Sequence, residues 1–170
     1  MPVFIALLRA VNVGGTGKLP MRDLKILCEK LGFADVRTYI ASGNDIFESG
    51  KSEAQVKAAL EARLKAHAGK PVGVAVRTAR QLKTILAANP FPKAPPNRTV
   101  AIFLDARPPR KALGELTGLK DEEVRLGTRE IYVHFPAGIG ASRLKIPAAR
   151  SGTARNMNTI AALLALAGKS

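Results

Sequence analysis

The sequence predicts an α+β fold made of duplicated ferredoxin-like (βαββαβ-type) halves that share elements. Three observations carry this expectation. Short apolar runs of strand length alternate with segments whose apolar residues recur every three or four positions. From Val3 to Val76 the order is strand, helix, strand, strand, helix, strand. The pattern then restarts, with Val100-Ala-Ile-Phe-Leu-Asp-Ala106 resembling Phe4-Ile-Ala-Leu-Leu-Arg-Ala10. The Pro-rich stretch Phe91 to Asn97 marks the boundary, so the halves are placed at 1–90 and 91–170, packed as one compact unit.

The elements follow in order. Val3 to Leu8 is apolar throughout, as a strand covered on both faces must be. A Gly-rich loop leads to Pro20, which a first helical turn tolerates. Leu24, Leu27, Cys28 and Leu31 then form one buried stripe, stopped by Gly32. Asp35 to Ala41 and Asp45 to Glu48 read as strands around the turn Ser42-Gly43-Asn44. Ser52 with Gln55 makes a capping box for a helix burying Val56, Leu60 and Leu64. Val72, Val74 and Val76 alternate as a strand. Thr78 and Gln81 cap a linking helix that ends at Asn89-Pro90. In the second half, helix signals surround Leu113 and Leu116, and strands are expected at Glu123–Leu126 and Glu130–Phe135. Thr153 to Thr159 opens a last helix that buries Ile160, Leu163, Leu164 and Ala167. No closing strand is legible in this second copy.

Composition narrows the function. The chain has 170 residues, 46% of them hydrophobic, enough to bury a stable core without staples. Its formal charge is +14, which favours acidic partners; the plainer alternative is that the charge only confers solubility. Cys28 is the single cysteine, so no internal disulfide forms, and its helical neighbours read it as a core thiol. The run Val3–Leu8 breaks at Arg9, too early for a signal peptide, and Ile160–Ala167 is too short to span a bilayer. A cytoplasmic protein without a membrane partner is expected. Its oligomeric state is not encoded in any motif.

Both ends of the chain lack acid. No Asp or Glu occurs from Met1 to Arg22 or from Ile131 to Ser170, whereas Gly, Asn and basic residues cluster there. Backbone amides beside fixed cations are what an anion site needs. Arg9, Asn12, Gly14, Gly15 and Lys18 form the first such segment. It is neither a Walker motif nor a dinucleotide fingerprint: Asn12 stands where the first Walker glycine would be, Leu19 follows Lys18, and Gly15-x-Gly17 runs into Pro20. Ser42 and Asn44 put a hydroxyl and an amide at a tight turn, where they also serve to stabilise the turn itself. Ser142 and Arg143, after Gly138 and Gly140, suggest a second amide nest. Thr153, Arg155, Asn156 and Asn158 lie at the last helix, Asn156 or Asn158 as its N-cap. A cation such as Arg155 at a helix N-terminus opposes the macrodipole unless an anion lies nearby. These two end segments are expected to fold into a single electropositive hollow.

Other chemistries lack their patterns. His67, His134 and Cys28 have no metal-ligand spacing, no Gly-x-Ser-x-Gly elbow occurs, and no cofactor is implied. Asp45 and Glu130 are the carboxylates considered for acid–base work. Tyr39, Phe47, Tyr132 and Phe135 are the aromatics available to stack bases, although core packing accounts for such residues as well.

The chain resembles a bacterial family known as domain of unknown function 1697. The resemblance rests on Ala6-Leu-Leu-Arg-Ala-Val-Asn-Val-Gly-Gly15 with Lys18 and Met21, on Tyr39-Ile-x-Ser-Gly-Asn44, on Asn89-Pro-Phe91, on Gly138-Ile-Gly-x-Ser142 with Leu144, and on Thr153-Ala-Arg-Asn-Met-Asn-Thr159. The family commonly has Gly at Ala10, Gln or Asn at Ala41, an apolar residue at Asp45 and Trp at Met157. The resemblance implies two related ferredoxin-like halves and no established activity. The residues themselves point to a domain that binds a phosphate-bearing ligand, a nucleotide or a nucleic acid. The alternatives are an enzyme acting on a small anionic substrate, or a structural or partner-binding domain.

Overall fold

The computed structural model describes residues 1–9, 19–40 and 42–168. Among them the chain is mixed α+β, with four α-helices and two four-stranded antiparallel sheets. Its contacts divide it into two units, Met1–Lys83 with Ala162–Ser170, and Thr84–Ala161.

In the first unit β1 (Val3–Leu8) pairs with β3 (Asn44–Glu48) on one side and β4 (Val74–Thr78) on the other, and β2 (Ala34–Thr38) lies outside β3. The uniform apolarity of β1 matches its burial, since Phe4 through Leu8 are all enclosed. Phe4, Ala6 and Leu8 face a core built with Phe47, Val74 and Val76 and with the buried stripes of α1 (Met21–Lys30) and α2 (Glu53–Ala68). Phe33 stacks on Phe47 with ring centres 4.2 Å apart. Pro20 precedes α1, and its carbonyl accepts the Asp23 and Leu24 amides. The Ser52–Gln55 capping box is formed with both reciprocal bonds. Two boundaries differ from expectation. β2 stops at Thr38 because the chain turns at Ile40, a non-glycine residue with φ of 48°. β4 begins at Val74, while Val72 packs against the core from outside the strand.

In the second unit β5 (Thr99–Phe103) is central, between β7 (Glu130–His134) and β8 (Thr153–Asn156), with β6 (Glu123–Leu126) outside β7. Here two expectations are corrected. A closing strand exists: Thr153–Asn156 is not the opening of a helix but β8, paired antiparallel with β5. The helix expected around Leu113 and Leu116 is only a 3₁₀ turn, Arg110–Glu115. Pro108 and Pro109 before it and Gly114 within it shorten it. Two further 3₁₀ turns, Ile139–Ala141 and Pro147–Ala149, follow β7. Leu116, Leu144 and Ile146 from these irregular segments cover the face of the sheet that bears Val100, Val124, Ile131 and Val133. The helix α3 (Ala79–Ala87) starts at reciprocal bonds between Thr78 and Gln81, and Tyr132 Oη donates to the Ile85 carbonyl at its far end. The last helix, α4 (Met157–Ala167), starts directly after β8.

Candidate functional site

Asn12, Gly14, Gly15 and Lys18 lie outside the described residues. Arg9 is exposed at the end of β1, and its backbone amide donates to the Gly73 carbonyl at 2.9 Å. Asn44 is fully buried, and its side-chain amide donates to the Tyr39 carbonyl at 2.8 Å and to Ser42 Oγ at 2.9 Å. Both bonds brace the turn between β2 and β3 from within.

The remaining nominated residues belong to the second unit. Thr153 is buried opposite Phe103 in the β5–β8 ladder. Arg155 sits on the strand β8 opposite Ala101, not in the first turn of a helix as expected from sequence. Its guanidinium donates to the Ala154 carbonyl, and burial pulls its pKa down to about 10. Asn156 caps α4, accepting the Thr159 amide at 2.9 Å, and Asn158 is exposed in the first turn.

Ser142 and Arg143 line a cavity of about 390 Å³. One wall is the segment Ala137–Arg143, including the Ile139–Ala141 turn; the other is Gly118 with Lys120, Asp121 and Glu122; Phe135 lies between. Three contacts lock the walls together. The Ser142 hydroxyl donates to Glu122 Oε2 in a short hydrogen bond, while Glu122 Oε1 accepts the Lys120 amide at 2.8 Å. Thr117 and Lys145 exchange both backbone bonds, at 3.2 and 2.8 Å. Gly118, at φ of 72°, passes so close to the Arg143 carbonyl that a Cβ would lie 2.1 Å from its oxygen. The Ser142 hydroxyl, and then the Lys120 amide, hold the Glu122 carboxyl below its ordinary range, so it is ionised at neutral pH. Lys120, Asp121 and Arg143 are exposed. The pocket is therefore preformed, with two cations at its surface and one carboxylate engaged in holding it open.

Sequence reasoning did not single out Gly118, Lys120, Asp121 or Glu122. They form part of a charged run, and only Gly118 carried a local signal, that of a turn glycine. A wider groove of about 490 Å³ lies between α1 and α2 in the first unit, lined by Asp23, Ile26, Lys30, Arg63 and His67, with none of the nominated residues.

The carboxylates considered for acid–base work are enclosed. Asp45 is fully buried on the helix-facing side of β3 and accepts from Cys28 Sγ at 2.9 Å; its other oxygen has no hydrogen-bond partner. Burial pushes its pKa up to about 7 against the opposing effect of the Cys28 bond, and burial likewise pushes the Cys28 thiol up. At zero exposure no substrate reaches it. Glu130 is 4% exposed. Phe47 and Tyr132 are core residues, so neither offers a face for stacking bases. No group of three His, Cys, Asp or Glu is placed to hold a metal among the described residues, and no helix there is long and apolar enough to cross a membrane.

A conserved bacterial protein, SP0830 from Streptococcus pneumoniae, superposes with a TM-score of 0.81 over 98% of both chains at 25% sequence identity. No curated protein matches the chain. A family model described as protein of unknown function (DUF1697) matches residues 1–132, and the chain belongs to that family.

Proposed function

We propose that this chain is a binding domain for a phosphate-bearing ligand, a nucleotide or a nucleic acid, held by its basic Gly- and Asn-containing loops. The observation that carries this reading is the locked pocket of the second unit, where Arg143 follows the Gly138–Ser142 segment on one wall and Lys120 lies on the other. Its walls are set before any ligand arrives, so little ordering cost opposes binding. A net charge of +14 draws anions toward it. Arg9 with Asn12, Gly14, Gly15 and Lys18 is a second anion-binding segment in the same reading.

The architecture belongs to the reading too. Duplicated ferredoxin-like halves, at 1–90 and 91–170, are supported by the matching strand orders β2-β3-β1-β4 and β6-β7-β5-β8, both antiparallel. The shared elements are α3 and α4, each of which has residues in both units. In the second half, 3₁₀ turns stand where α1 and α2 stand in the first.

Thermal melting with phosphate compounds tests the binding reading. A ligand at a hundredfold excess over its dissociation constant adds about 2.7 kcal/mol of stability. Arg143→Ala is expected to remove most of that gain and leave the unliganded melting temperature within about 1 °C, since exposed substitutions act by less than about 0.5 kcal/mol. Nucleic-acid binding would weaken steeply with salt as counterions are released. No stabilisation by phosphate esters and no salt-sensitive retardation of RNA or DNA would sink the reading.

A further inference from the structure

We infer that the Lys120–Arg143 pocket selects phosphate esters that bring hydroxyl donors of their own, sugar phosphates and nucleoside monophosphates, over esters without hydroxyls and over a continuous strand. The inference rests on the phosphate-binding reading above and adds a selecting group to it. The cations Lys120 and Arg143 are faced by two carboxylates in the same lining, Asp121 and Glu122. Glu122 is committed, one oxygen to the Ser142 hydroxyl and the other to the Lys120 amide. Asp121 is exposed beside them.

An ionised carboxylate accepts hydrogen bonds and cannot donate. The dianion of an ester without hydroxyls is attracted by the cations but repelled by Asp121. A ligand with hydroxyls next to its phosphate turns that repulsion into a hydrogen bond. A site built to receive a hydroxyl discriminates against analogues without one. Size points the same way: about 390 Å³ lies near the lower end for small-molecule pockets and holds one monomer.

Isothermal titration of the full chain at fixed ionic strength tests this, with methyl phosphate, ribose 5-phosphate, a nucleoside 5′-monophosphate and a ten-nucleotide RNA. Ribose 5-phosphate and the nucleotide are expected to bind at least about tenfold tighter than methyl phosphate. Whether the nucleotide exceeds ribose 5-phosphate tells a base-bearing ligand from a sugar phosphate. Asp121→Ala, an exposed turn substitution whose folding is checked by circular dichroism, is expected to tighten methyl phosphate and collapse the difference. Equal affinities for all three small phosphates, still weakened by Arg143→Ala, overturn the selectivity and leave the anion pocket standing. Tightest binding by the RNA also overturns it. Absence of binding by every probe overturns the pocket reading itself.

Discussion

Asp45 is fully buried and carries one oxygen without a hydrogen-bond partner, on a strand where Ile46 and Phe47 are equally enclosed. Its pKa of about 7 lies above the value of about 3.9 that an unfolded aspartate has. The folded chain therefore keeps a proton that the unfolded chain releases, and stability falls as pH rises from about 4 to about 7, then levels off. Each tenfold change in proton affinity is worth about 1.4 kcal/mol, so the ionised group costs on the order of 4 kcal/mol above neutrality. Asp45→Asn is expected to stabilise the chain by a few kcal/mol at pH 8 and by little at pH 4.5, read from urea melts at both. An equal effect at the two pH values would contradict the burial argument. The apolar residue expected here from the family resemblance would remove the cost altogether. The sequence marked Asp45 as a carboxylate of interest, but not that it is enclosed. Burial depends on Cys28 reaching it from α1, 17 positions away.

The elements with local causes were legible, and those created by distant contacts were not. The Ser52–Gln55 and Thr78–Gln81 pairs named two helix starts because capping is decided within four residues. β8 was hidden because its four residues end on Asn156, whose capping signal points to the helix that follows; only pairing with β5 makes the segment a strand. Asn156→Ala should cost about 1 kcal/mol, or about 3 °C in melting temperature, through the lost cap. Unchanged affinity for phosphate esters in that variant would assign the residue to the helix alone. The candidate pocket was half legible: the Gly138–Arg143 segment stood out by composition, whereas its opposite wall is chosen by the bond from Ser142 to Glu122, 20 positions away. Gly118→Ala should destabilise the second unit by at least about 2 kcal/mol, since a Cβ would meet the Arg143 carbonyl at a strained φ. Wild-type stability in that variant would show that the two walls are not held together as described.

The whole chain carries 27 Lys and Arg against 13 Asp and Glu. Such a surplus repels itself in the folded state. Raising ionic strength from about 0.01 to 0.15 M shortens the screening length from about 30 to about 8 Å, so the melting temperature is expected to rise by a few degrees in sodium chloride. A larger rise in sodium phosphate at matched ionic strength would separate a specific anion effect from screening, and a flat response to both salts would deny the repulsion any thermodynamic weight. Cys28 offers a different handle on the same molecule. It is the only thiol and is sealed inside the first unit, so a maleimide can reach it only when that unit opens. Its alkylation rate is a built-in clock for one unit's breathing, read without adding a dye or changing a residue.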